Sequence, residues 1–300
     1  MQTIKKILVV LILLYPANEL FAQIEGASQS RSGSFYSLFG VGYPTDNINP
    51  RSLGMGILGV SLDAGHSNSL QNPALWGRNG LTTASSGFNF QQFNTANKSS
   101  ESVNALLEAG YIQLTFPVFR EKLGVSASLY SVTRTNYRFV TFDSTVVSAN
   151  NVVNYASDIR GTGGVNKMEV GFGWNVNKNI ALGYAPAFTF ISQNNSRDVF
   201  FDQSGYSTNN LDSKITGTAL GHRFGALFNF RQLIRTNDRM SLGLSATMPI
   251  SIDAEENITV RKLVSGQELE VSLRDPKKGK INLPLELKAG LSYYPNRLVN

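Results

Sequence analysis

The chain has no cysteine. That excludes a disulfide framework, a thiolate metal site, a cysteine nucleophile and a lipidated cysteine behind a leader. Histidine is nearly absent as well, with His66 and His222 the two in 300 residues. His66 stands in a polar turn with no motif nearby. His222 is in phase with Phe224, Ala226 and Phe228 and so points away from an interior. Neither is placed beside a nucleophile, as a serine–histidine hydrolase requires. Acidic pairs such as Glu255-Glu256 read as solvated loop charge, and no metal-ligand spacing occurs. The chain is therefore read as a non-enzyme, with no cofactor and no metal.

Charge is scarce too. Charged residues are 16% of the chain, against about a quarter in ordinary soluble domains. The formal net charge is +6, but the cations are scattered and not interleaved with aromatics, which argues against nucleic acid as a partner. Long apolar runs are missing beyond the first residues. There, Lys5 and Lys6 precede an apolar run over 7–14, and Leu20-Phe21-Ala22 offers a small residue for cleavage. This reads as a signal peptide over 1–22, with the mature chain beginning at Gln23. Its removal leaves 25 basic and 20 acidic residues. A spanning helix needs about 20 apolar residues, and no stretch approaches that. A membrane-integral form of this exported protein must then be a β-barrel.

What the sequence does contain is alternation. Leu123, Val125, Ala127 and Leu129 alternate with Gly124, Ser126 and Ser128. Met168, Val170, Phe172 and Trp174 alternate with Lys167, Glu169, Gly171 and Gly173. Similar runs surround Leu242-Gly243-Leu244 and Leu287-Lys288-Ala289-Gly290-Leu291. A period of two over so many residues predicts strands with one lipid-facing and one water-facing side. Eight strands are expected, over 83–93, 111–119, 123–142, 161–176, 180–197, 213–230, 239–253 and 281–294. The connections measure 17, 3, 18, 3, 15, 8 and 27 residues. Short turns alternating with long loops are the periplasm-versus-exterior asymmetry of outer-membrane barrels. The domain plan is a leader (1–22), an N-terminal segment (23–82) and barrel strands (83–300).

Two strands depart from the pattern. Pro186 falls mid-strand, where it removes a ladder hydrogen bond and marks a possible defect in the wall. The third strand loses its apolar face at Ser131, Thr133 and Thr135, which fits a strand rising above the bilayer. Beyond that point Arg134, Asn136 and Arg138 are read in the lumen phase. Lumen-phase Arg134, Arg138, Lys167, Arg223 and Lys288 are the candidates for binding a ligand carboxylate. In the first long loop, Val103, Leu106 and Leu107 form one stripe of a short predicted helix, capped by serine and ended by Gly110. That stripe is a candidate ligand groove or a lid.

The segment over 51–79 has neither strand nor helix periodicity. Gly54 and Gly56 bracket Met55, and Asn72-Pro73 starts a turn. An irregular segment ahead of barrel strands belongs inside a lumen, since exposed irregular backbone is not tolerated at membrane depth. Leu53-Gly54-Met55-Gly56, Asp63-Ala64 and Ser69-Leu70-Gln71-Asn72-Pro73-Ala74-Leu75 together resemble the N-terminal hatch of the FadL/TodX-type transporters. The acidic patch is matched only partially, by Leu62-Asp63-Ala64-Gly65. The resemblance implies an all-β transmembrane antiparallel barrel of the outer-membrane type, its lumen plugged by a hatch built on Gly54, Gly56, Asn72, Pro73, Ala74 and Leu75. It also implies fourteen strands, of which about eight are present; a plug does not fit in eight, so a C-terminally truncated member is expected. The implied function is passive, hatch-gated uptake of hydrophobic molecules such as long-chain fatty acids. The partners would be that hydrophobic small molecule and outer-membrane lipid. The rival reading is an accessory barrel of protein secretion or surface assembly, which holds protein partners and moves no lipid.

Overall fold

The computed structural model describes residues 35–45, 47–63, 69–96, 101–148, 151–203, 209–233, 238–264, 267–272 and 275–295. The leader, its cleavage point, Ala64, Gly65 and His66 lie outside the described residues. Among the described residues twelve strands form one antiparallel sheet. They are β1 (Tyr43–Pro44), β2 (Thr83–Ala96), β3 (Glu101–Phe119), β4 (Leu123–Ser148), β5 (Asn151–Asn175), β6 (Ile180–Phe201), β7 (Asn209–Arg231), β8 (Arg239–Thr247), β9 (Ile250–Val264), β10 (Gln267–Ser272), β11 (Lys277–Leu283) and β12 (Glu286–Tyr294). β7 pairs with β8 along its C-terminal half and with β9 along its N-terminal half, so β8 and β9 form one broken rib. β12 pairs β8, and β10 and β11 pair β9, completing the same long hairpin. The sheet thus has the eight long ribs expected, curled into a half-barrel.

The ribs begin and end at the short turns as expected but run farther at the other end. β4 and β5 continue to Ser148 and from Asn151, through residues expected to form an 18-residue loop. Alternation fades from the sequence there because most side chains on both faces meet water, Val153, Ser157 and Asp158 excepted, whereas the backbone ladder needs no apolar face to continue. The helix expected near 100–110 is likewise strand, the first half of β3. Leu106 is buried and Leu107 is 61% exposed, so the two lie on opposite sides of a strand and make no common stripe. Val103 pairs with Asn94 in the β2–β3 ladder.

Burial alternates along the ribs, with Ala181, Gly183, Ala185, Ala187 and Thr189 buried on one side of β6. Leu182, Tyr184, Phe188 and their cross-strand neighbours form the other, apolar and outward side. His222 lies on that outward side as expected, its Nδ1 2.8 Å from the Tyr184 hydroxyl. Pro186 breaks the β5–β6 ladder locally: pairing stops at Glu169↔Ala187 and resumes at Phe172↔Tyr184 in the same register. On its other side Pro186 stays paired with His222.

β4 departs from the sequence reading at Ser131. A bulge between Ser131 and Thr133 inserts one extra residue and inverts the phase of everything beyond it. Thr133, Thr135 and Tyr137 are consequently the buried residues, with the Tyr137 hydroxyl donating to Asn195 Oδ1. Arg134, Asn136 and Arg138 take the opposite side. At the same level β3 leaves β4, their pairing ending at Tyr111↔Tyr130. The vacated edge of β4 is taken by β1, through Tyr43↔Arg134 and Pro44↔Thr133.

Candidate functional site

The most elaborately built part of the molecule is the inner face of the half-barrel, where the N-terminal segment is seated. Its foundation is a row of glycines. Gly124, Gly173, Gly183 and Gly225 are successive cross-strand partners on β4, β5, β6 and β7. A row without side chains is a shallow trench across four strands, into which another backbone can sink. The 3-10 helix Pro73–Arg78 occupies it. A Cβ on any of the four would lie within 3.0 Å of the 72–77 segment: of Trp76 O for Gly124, Pro73 O for Gly173, Ala74 N for Gly183 and Asn72 Oδ1 for Gly225. A second pair, Gly243↔Gly290 on β8 and β12, receives Val60 and Ser61 in the same manner.

Polar groups of the segment are bonded within this trench. Asn72 Oδ1 accepts from the Ala74 N–H at 3.0 Å and caps the 3-10 helix. Its amide donates to Val60 O at 2.8 Å and to Ala226 O on β7 at 3.1 Å. Trp76 Nε1 donates to Ser69 O at 2.8 Å. Ala74 and Leu75 pack with Ala181 of β6 and Leu227 of β7. At the short-turn end Asp63 receives Arg78 and Arg239, each at 3.5 Å, and its N–H donates to the Tyr294 hydroxyl at 2.8 Å. The Arg239 guanidinium stacks 4.4 Å from the centre of the Tyr294 ring.

Above the helix lies a cluster of charge. Arg223 on β7 is 5% exposed; it bonds to Glu169 of β5 and to the Leu70 carbonyl, with its guanidinium 5.8 Å from the Trp76 ring centre. Tyr130 of β4 faces the same glutamate. Lys288 of β12 lies 2.8 Å from Gln71 Oε1 and 2.8 Å from Glu286 Oε1. Lys167, also buried, faces Glu169 and Glu286 alongside these cations. Two of the three cations, on strands that flank β8, therefore hold the N-terminal segment at the adjacent residues Leu70 and Gln71. The arrangement is a clasp.

Of the five carboxylate-binding candidates, the structure brings Lys167, Arg223 and Lys288 together and leaves the other two elsewhere. Arg134, displaced by the bulge, donates to Ala109 O and pairs with Glu108 at 3.4 Å across the β3–β4 seam. Arg138 pairs with Asp158 at 2.8 Å on the exposed side of the long hairpins. Among the hatch residues, Asn72, Pro73, Ala74 and Leu75 are buried in the trench. Gly54 ends the short helix Pro50–Gly54, and Gly56 follows it at φ +67°. Trp76, Glu169 and the glycine row were not singled out from sequence. The available signal was glycine recurring in the water-facing phase of consecutive strands, near the short turns.

Comparison with known proteins gives one family match: the family model described as BamG covers residues 3–298, whereas the 51–79 stretch resembles the FadL/TodX-type transporters. No curated protein and no solved structure matches the chain.

Proposed function

The chain belongs to the BamG family over nearly its whole length, and from that premise we propose that it is an accessory barrel of the machinery that assembles β-barrel proteins in the outer membrane. The family and the all-β half-barrel point to the outer membrane. In this reading the protein holds protein partners at that membrane and conducts no hydrophobic molecule. The observation that carries the choice is the seat of the N-terminal segment. Transport needs an inner path with a cation left over for a carboxylate. Here residues 72–77 lie in backbone contact with four strands, and Arg223 and Lys288 are engaged by Glu169, Glu286, Leu70 and Gln71. A hatch moving in each transport cycle would have to desolvate and re-form that set of contacts every time.

The extended hairpins give the second support. β4 to β7 continue beyond the apolar belt as paired ribbons, stiffened by cross-strand ion pairs from Arg138 through Asp158 and Arg160 to Asp198. Stiff ribbons standing clear of a bilayer suit the presentation of a surface to another protein. The test is purification of the full chain from the outer membrane in mild detergent, followed by native mass spectrometry. A stoichiometric complex with barrel-assembly proteins is the expected result. A chain without protein partners that releases fatty acid, and whose loss abolishes fatty-acid uptake, overturns the reading in favour of the transporter.

A further inference from the structure

The outward face carries a feature that partner holding does not use. Trp174, Leu182, Ala226, Leu244 and Ala289 are successive cross-strand partners on β5, β6, β7, β8 and β12. One row farther from the short turns, Phe172, Tyr184, Phe224, Ala246 and Leu287 are joined in the same way. The two rows are unequal across their width. On β5 to β7 they are aromatic, with Phe172 edge-on to Tyr184 at 6.2 Å and Tyr184 tilted on Phe224 at 5.1 Å. On β7 to β12 three of the six positions are only the methyl groups of Ala226, Ala246 and Ala289, set among Phe224, Leu244 and Leu287. A ridge beside an alanine floor leaves a groove of about 800 Å³, in the size range of small-molecule sites.

We propose that this groove is a binding site for the acyl chains of a phospholipid in the periplasmic leaflet. The groove lies on the lipid-facing side of the sheet, where the medium that fills a depression is hydrocarbon. It also lies close to the short turns, which face the periplasm in outer-membrane barrels; Trp174 is in the last turn-ward row before Asn175 ends β5. The charge at that end fits a phosphate: exposed Lys178 stands in the β5–β6 turn, between the two strands that carry Trp174 and Leu182. Acyl chains in the groove and a phosphate near this cation make one continuous amphipathic seat. The alanines are its specificity device, because a larger side chain at any of them would level the floor with the ridge.

The two tryptophans permit a direct test. Trp174 is 43% exposed in the groove, while Trp76 is fully buried on the opposite side of the sheet. The full chain in detergent micelles is titrated with phosphatidylethanolamine carrying brominated acyl chains, which quench only a tryptophan they touch. Saturable quenching that survives added detergent is the expected result. Ala246→Phe, which fills the groove, should raise the half-saturating ratio roughly tenfold, the equivalent of about two methylenes left unburied. Ala226→Gly deepens the groove and must retain saturation, so that a misfolded filling variant cannot imitate support. Lys178→Glu should weaken the phospholipid and leave a brominated diacylglycerol unchanged. Quenching that merely tracks the lipid content of the micelle, and is equal in every variant, overturns the proposal. So does a co-purifying protein that shields Trp174 until it is removed, which would make the groove a partner's seat.

Discussion

The half of the ribs near the short turns and the half beyond the bulge in β4 are parts of one sheet, held in different ways. Near the turns the inner face has glycines below the charge cluster, and what fills them is another piece of backbone, from Val60–Ser61 and 72–77. Beyond the bulge the connections are made by side chains: Arg138 with Asp158, Arg160 with Asp198, and Arg261 with Asp212. The first half has no slack, since a strand held in a ladder on both sides cannot back away from a new Cβ. Past the buried Val165, Ile191 and Ile252 the second half is wet, and exposed ion pairs there can be lost one at a time. A membrane-embedded body and a surface-exposed attachment are under different demands, and the two constructions follow those demands.

The largest effect should come from putting a side chain into the trench. Gly183→Val directs its methyls at Ala74 N and the Pro73 carbonyl, which belong to a buried helix between strands. Overpacking usually costs about 1–3 kcal/mol, and with backbone on both sides the upper end or beyond is expected. On unheated gels the variant should fail to show the compact, heat-modifiable form expected of the folded parent chain. Gly279→Ala, on β11 with nothing within 4 Å of its Cβ, should fold normally. Equal behaviour of the two would erase the distinction drawn between the halves.

Next comes the clasp. Arg223→Met removes the partner of Glu169, which is fully buried, at a cost of about 3–5 kcal/mol. Adding Glu169→Leu should recover much of the loss, because the penalty is mainly that of the stranded charge. Denaturant unfolding in detergent, followed at Trp76 under the guanidinium, reads both. If the double variant is no better than the single one, Arg223 acts through Leu70 and not through the glutamate. Asn72→Ala is smaller: it removes a helix cap and leaves the Val60 and Ala226 carbonyls without their donor, worth about 1–3 kcal/mol. Local exposure of 60–80 by hydrogen exchange should rise before global stability falls.

Much of this was legible in the chain. The turn-side limits of the ribs could be read because alternation is sharp where one face meets lipid, as in Met168 to Trp174. The exterior limits could not, since Asp143 or Asn154 are equally soluble in a loop or a two-sided polar strand. Phase arithmetic placed Lys167, Arg223 and Lys288 on one face correctly, but it carries no information about a bulge. One inserted residue at Ser131–Thr133 was enough to put Arg134 and Arg138 on the wrong side. The trench escaped notice because glycine looks like a weak strand residue until the backbone facing it is known. Asn72-Pro73-Ala74 was found, but its neighbour Trp76, the most deeply seated of the segment's large side chains, carries no motif.

The smallest stability effect tests the other side of the comparison. Arg160 bridges Asp158 and Asp198 with its side chain 45% exposed, and exposed pairs are worth about 0–1 kcal/mol. Arg160→Ala should therefore unfold within that margin of the parent chain, and less separately still at high salt. Its consequence should appear in association. With the ladder interrupted, β5 and β6 keep their backbone pairing but lose the charge that fixes their relative twist at this level, so a partner seated on the ribbons should be released faster from the purified complex. An off-rate change without a stability change would show that the exterior half is a surface tuned for contact. A stability loss as large as that of Arg223→Met would instead mean that the ladder supports the barrel, and the two halves would be one construction.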